Sequence, residues 1–144
     1  MGDTSIRPHP ALEAATALLQ SAALPVADLT DTHMPDFFYC GSAQAPIGLV
    51  GIELHGASAL LRSLVVAPAN RSSGIGAALV ERVEAHARGH GVRAIYLLTT
   101  TAEAFFKRHG YEPADRQRAP AEIKATREFA DLCPASSAFL FKRL

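Results

Sequence analysis

The sequence predicts a single mixed α/β domain over residues 1–144, built on one sheet. Two observations carry this. Apolar residues switch repeatedly between the alternating or continuous pattern of strands and the 3.6-residue stripe of helices, with turn residues at each change. A chain of 144 residues that is 49% apolar is also large enough for one core and too small for two.

The elements follow in order. Thr4 to Arg7 reads as a short strand, and Pro8 and Pro10 lead into a helix with its stripe at Leu12, Ala15, Leu19, Ala22 and Ala23. The stretch from Pro25 to Pro35 is irregular, with Asp28, Thr30 and Asp31 as turn and cap residues before a short helical turn. Asp36 to Cys40 and Pro46 to Leu54 form a hairpin, and Ala59 to Val66 is a central strand interrupted by Arg62 and Ser63. Ile75, Ala78, Leu79, Val83 and Ala87 lie on one face of a long helix, with Glu81, Arg82, Glu84 and Arg88 outward. Ala94 to Leu98 is a buried strand, and Thr100 with Glu103 is a capping box for a helix ending at Gly110. A brief extended piece from Tyr111 to Pro113, a helix from Ala121 to Leu132 and a last strand from Ser137 to Phe141 complete the chain.

Charge excludes several functions. Lys and Arg number 14 and so do Asp and Glu, with no basic cluster, so the electrostatic footprint of a nucleic-acid binder is missing. No apolar run reaches the roughly 20 residues of a membrane span. Cys40 and Cys133 are too few for a disulfide framework and have no zinc spacing, so no metal is expected. The opening MGDTSIRPHP has no secretory pattern, which leads to a cytoplasmic expectation.

The informative stretch runs from the Leu64-Val65-Val66 strand through Pro68 and a polar loop into the long helix. A helix N-terminus offers unpaired N–H groups and partial positive charge, an anion site. Gly74 and Gly76 let a diphosphate approach the backbone, and Arg71 adds a charge-assisted contact. The Gly-x-x-x-x-Gly-Lys-Ser/Thr loop is absent and the three-glycine dinucleotide fingerprint is incomplete.

Val66-x-Pro68, Arg71-Ser72-Ser73-Gly74-Ile75-Gly76 and Leu79 resemble the V-x-P-x-x-R/Q-x-x-G-x-G/A-x-x-L signature of the GNAT superfamily of N-acetyltransferases. Ala104-Phe105-Phe106-Lys107-Arg108-His109-Gly110-Tyr111 resembles its helix-to-strand element. RSLVVAP, YLLTTTAEAFFKRHGY and EFADLCPASSAFL look like the small acetyltransferases encoded with arsenic-resistance genes.

The resemblance implies the GNAT fold, a single mixed, mostly antiparallel sheet with a splayed parallel strand pair and helices on both faces, and acetyl-CoA (coenzyme A) as cofactor. It implies that Leu64, Val65 and Val66 pair with the pantetheine arm, and that the Val66 N–H polarises the thioester. Arg71, Ser72, Ser73, Gly74, Ile75, Gly76 and Ala77 would receive the pyrophosphate, and Phe106 would lie along the cofactor. The family usually has tyrosine at Phe106 to protonate the departing thiolate, which phenylalanine cannot do. Tyr39, Tyr111 and Cys133 are the local substitutes.

Glu53, on the strand face opposite Val50, Ile52 and Leu54, is the candidate base, with His55 following at a turn. Arg62 shares the face of Leu60, Leu64 and Val66, so it needs a partner, either Glu53 or the carboxylate of an acceptor. Thr99 and Thr101 are candidate acceptor contacts, and the insertion from Ala114 to Leu132 a lid over the pocket. The expected reaction moves an acetyl group to the primary amine of a small molecule, an amino-acid-like toxin or arsenic-related antimetabolite in the arsenic-associated reading. The alternatives are an acyl-CoA-binding module without chemistry and a different phosphate binder. A homodimer through a sheet edge stays open.

Overall fold

The computed structural model describes residues 5–144, so Thr4 of the first expected strand lies outside the described residues. The chain runs β1 (Ile6–Pro8), α1 (Leu12–Ser21), β2 (Phe37–Gly41), β3 (Pro46–His55), β4 (Ser58–Val66), α2 (Ile75–Gly89), β5 (Ala94–Thr99), α3 (Glu103–Arg108), β6 (Glu112–Pro113), α4 (Ala121–Lys124) and β7 (Ala138–Arg143). These strands form one seven-stranded sheet in the order β1-β2-β3-β4-β5-β7-β6. Every neighbouring pair is antiparallel except β4 and β5.

Strand alternation sends apolar residues to both faces. Phe38, Val50, Ile52, Leu61 and Leu97 pack against Leu79, Val83 and Ala87 of α2. On the other face Phe37, Tyr39, Leu49 and Val65 meet Ala15 and Leu19 of α1, and Leu60 and Phe139 meet Ile123 of α4. The insertion between β6 and β7 therefore covers the part of the sheet that α1 leaves open. No helix among the described residues is long and apolar enough to cross a membrane.

Three local expectations are corrected. Glu84 faces inward rather than outward: it is 5% exposed, accepts a hydrogen bond from the Tyr111 hydroxyl at 2.9 Å and lies 3.1 Å from Lys142 Nζ. It lies one turn beyond Val80 and beside Val83, on the buried stripe, and those partners offset its desolvation. Thr100 does not cap α3, whose N-cap is Ala102 with no side-chain capping bond; the Thr99 hydroxyl accepts from the Ala102 N–H at 3.0 Å, ahead of the helix. The expected helix over Ala121 to Leu132 is broken into α4 and a wide π turn at Glu128–Leu132.

The sheet has little room where α1 crosses it. A Cβ on Gly51 would lie 2.3 Å from the Phe37 ring, whereas nothing lies within 4 Å of one on Gly89. Gly51→Ala should therefore destabilise the fold by about 1–3 kcal/mol in urea unfolding, while Gly89→Ala leaves stability unchanged or slightly raised. Equal effects would show that the Phe37 contact does not constrain β3.

Candidate active site

The site starts from a strand pair that separates. β4 and β5 are in register only at Ser58–Ala94, Ala59–Ile95 and Leu60–Tyr96, although β4 continues to Val66 and β5 to Thr99. The separation coincides with a bulge. Leu49 of β3 faces Val65 and Gly51 faces Arg62, so β4 carries an extra residue there, and Ser63 takes a positive φ of 63°. The Ala67 N–H donates to the Ile47 carbonyl at 2.8 Å, so the pleat turns the Val66 N–H to the opposite edge, toward the gap. Arg71 Nε, 3.1 Å from the Val66 carbonyl, caps the other backbone group on that edge.

The loop after β4 ends at the N-terminus of α2. Ser72 and Gly74 both have positive φ, 66° and 86°, so successive N–H groups turn inward as an anion nest. Gly74 is the N-cap and no side chain caps the helix, which leaves the first-turn donors of this 15-residue helix for a ligand. A Cβ on Gly76 would touch the Phe105 ring at 3.4 Å, so this glycine also serves the close approach of α3 to α2.

A cavity of about 1140 Å³ joins these parts. Its walls include Leu64, Val65 and Val66, then Arg71, Ser72 and Gly74 through Ala77, then Thr99, Thr101 and Phe106. Ser73 does not line it; its hydroxyl donates to the Asn70 carbonyl. Phe106 is 3% exposed, edge-on to both Phe105 and Tyr111, with no proton to offer. Tyr111 is no substitute, because burial and then the Glu84 carboxylate push its hydroxyl far above the ordinary range. Tyr39 is buried beneath α1.

Arg62, whose side chain is fully buried, finds more partners than expected. Its Nη1 contacts Asp28 at 2.5 Å and Glu53 at 2.8 Å, Nη2 reaches Asp28 at 2.8 Å, and Nε lies 3.1 Å from Glu128. Burial alone would lower its pKa, but these carboxylates keep it charged. Burial would likewise raise the Asp28 carboxyl, yet the hydrogen bonds and charge of Arg62 hold it below its ordinary value.

This cluster lies between two cavities. Asp28 and Glu53 open onto a smaller cavity of about 490 Å³ with His33 and His55, whereas Arg62 and Glu128 line the large one. Glu53, the expected base, is thus not a wall of the large cavity and meets it only through the guanidinium. Its other oxygen is 3.4 Å from His55 Nε2. Asp28, His33 and Glu53 bring potential ligand atoms within 4.8 Å of one another, but both carboxylates are already engaged by the Arg62 guanidinium.

No motif in the sequence marks Glu128 or Asp28 as site residues. The one signal was the need of buried Arg62 for countercharge, which names no partner. Glu128 accepts a hydrogen bond from the Cys133 thiol at 2.8 Å, and burial followed by Glu128 pushes that thiol up to about 12.

Similar proteins share this architecture. The chain is 39% identical over 61 residues to the amino-acid acetyltransferase of Pseudomonas fluorescens, covering 42% of this chain and 14% of that enzyme. It is 36% identical over 92 residues to an uncharacterized N-acetyltransferase of Chlorobaculum tepidum, covering 63% of this chain and 59% of the relative. It thus spans less than two thirds of the length of either curated relative.

N-acetylglutamate synthase from Neisseria gonorrhoeae, solved with coenzyme A and N-acetyl-glutamate, superposes with a TM-score of 0.82 at 19% identity over 97% of this chain and 35% of that one. A GNAT-family acetyltransferase from Staphylococcus aureus gives 0.73 at 17% identity over 97% and 98%. At such identities these two likenesses establish the fold. The acetyltransferase (GNAT) domain model matches residues 35–113, more than half of the chain, and the chain belongs to the GNAT acetyltransferase family.

Proposed function

We propose that the protein transfers the acetyl group of acetyl-CoA, the cofactor of this family, to the primary amine of a small amino-acid-like molecule. The observation that carries the reading is the gap past Leu60 and Tyr96, which opens beside the uncapped N-terminus of α2. The strand edge gives an amide-bearing arm hydrogen-bonding groups to pair with, and the nest of Ser72 and Gly74 accepts a diphosphate.

In this reading the amides from Arg71 to Ala77 hold the pyrophosphate, and Leu64 and Val65 flank the arm. The Val66 N–H donates to the thioester oxygen as negative charge develops there, an interaction of the kind that contributes about 3 kcal/mol elsewhere. Phe106 walls off the acyl end, and Thr99 and Thr101 face the acceptor. The amino-acid-like acceptor is supported by the name of the Pseudomonas relative and by the resemblance to arsenic-resistance-associated acetyltransferases, which makes toxic or arsenical amino-acid analogues the first acceptors to try.

A second reading, an acyl-CoA-binding module without chemistry, draws its support from Phe106. Thiol release from acetyl-CoA across a panel of L-glutamate, other amino acids and arsenical and phosphinyl amino-acid analogues separates the two. At least one acceptor should release thiol well above the acceptor-free rate. Background rates throughout, with acetyl-CoA still bound, would leave only the second reading.

Arg71→Glu and Gly74→Asp place negative charge against the diphosphate. Each should weaken acetyl-CoA binding by calorimetry at least tenfold without changing the melting temperature by more than a few degrees. Unchanged affinity would show that the diphosphate lies elsewhere.

A further inference from the structure

Glu128 reaches the large cavity from a single wide turn in the β6–β7 insertion, a helical irregularity often found at functional sites. It is 6% exposed, and each oxygen has one partner: Oε1 lies 3.1 Å from Arg62 Nε, and Oε2 accepts from Cys133 Sγ at 2.8 Å. A carboxylate has about four lone-pair sites, so it keeps capacity for an incoming N–H.

Ser137 lines the same cavity. It is 5% exposed, and its hydroxyl is the one buried side-chain polar atom among the described residues without a hydrogen-bond partner. An unpartnered buried hydroxyl is unfavourable, and a polar group of a ligand in the cavity would satisfy it. The other carboxylates of the cluster, Asp28 and Glu53, open onto the smaller cavity.

We propose that Glu128 is the catalytic base of the acetyl transfer, that Cys133 is its positioning residue, and that the Ser137 hydroxyl receives a polar group of the acceptor. The assignment rests on the acetyl-transfer reading above. The acceptor arrives as an ammonium ion and gives one proton to the Glu128 carboxylate. The freed lone pair attacks the thioester carbon, forming the C–N bond, and the C–S bond breaks with its electron pair on sulfur. The second proton of the nitrogen passes to the thiolate, and Glu128 releases its proton to water. The products are the amide, the free CoA thiol and one proton, and nothing is asked of Phe106.

The groups facing the Glu128 carboxyl are Arg62 from β4 and Cys133 from its own turn, with Asp28 and Glu53 beyond the guanidinium; Arg116 acts on Cys133. Burial raises the Glu128 carboxyl, and Asp28 and Glu53 add to the rise, against the charge of Arg62 and the hydrogen bond from Cys133. A carboxyl raised above its ordinary range is better matched to taking a proton from an amine.

The test uses the full chain with acetyl-CoA and the panel acceptor that releases thiol fastest. Glu128→Gln preserves size and an acceptor oxygen for Arg62. It should lower kcat/KM at pH 7 by about 100-fold or more, leave acetyl-CoA affinity within about twofold, and recover roughly tenfold per pH unit as solvent supplies neutral amine. Cys133→Ala removes a hydrogen bond that favours the charged carboxylate, so the acid limb of the kcat/KM profile should move to higher pH; Cys133→Ser should move it back. Ser137→Ala should raise KM more than it lowers kcat.

Activity of Glu128→Gln within about threefold of the parent at pH 7, a loss independent of pH, or an unmoved acid limb in Cys133→Ala would overturn the assignment. If Glu128→Gln does not fold, the Cys133 pair decides alone. Failure of the acetyl-transfer reading is distinguishable, because it silences the unsubstituted protein on every acceptor.

Discussion

The site depends on two parallel strands that pair briefly and then part. β4 has β3 on its other side and β5 has β7, so neither can move to fill the gap without breaking an antiparallel ladder. The bulge at Ser63 supplies the local twist that turns β4 away. Backbone N–H and C=O groups on the two inner edges are thereby left without strand partners inside a covered cavity, a condition that favours an amide-bearing ligand. The route to the helix follows directly: Val66 runs through Ala67 and the turn at Pro68–Asn70 into Gly74, so strand edge and anion nest belong to one short segment.

Arg62 is the second constraint. A guanidinium this buried is favourable only with well-placed countercharge, and it gathers Asp28 from the segment after α1, Glu53 from β3 and Glu128 from the insertion. These elements are distant in sequence, so the ion cluster ties the insertion to the sheet. The same cluster separates the large cavity from the small one, giving Glu128 to the first and Asp28 and Glu53 to the second. One buried guanidinium thus lies between the carboxylate that lines the large cavity and the two that line the small one.

The parts of this arrangement differ in how visible they were in the sequence. The anion nest was legible because it is local: a strand, a proline, a glycine at a helix start and a periodic stripe all fall between Leu64 and Leu79. The need of Arg62 for a partner was legible because a charge broke an apolar strand, and Glu53 was found because both lie in neighbouring strands. Asp28 and Glu128 were not, since Asp28 lies in an irregular segment and the helix expected over Ala121 to Leu132 breaks into α4 and the separate turn that carries Glu128.

The bulge had no signal either, because Ser63 adopts its positive φ without being glycine. Glu84 was misread for the opposite reason: an acidic residue on a helix was counted as solvated, while Lys142 and Tyr111 reach it from β7 and the end of α3. At the start of α3 the threonine run suggests a capping box that does not form, because Ala102 is the N-cap and Thr99 bonds only that residue's N–H.

The most direct test of the central claim, that the β4–β5 gap and the α2 nest together hold the acyl donor, is an amide nitrogen–proton NMR titration of the protein with acetyl-CoA. The account predicts large shifts for the amides of Val66 and of Gly74 through Ala77, with those of β1 and β2 unmoved. Binding that left the Val66 amide unshifted while moving others would contradict it.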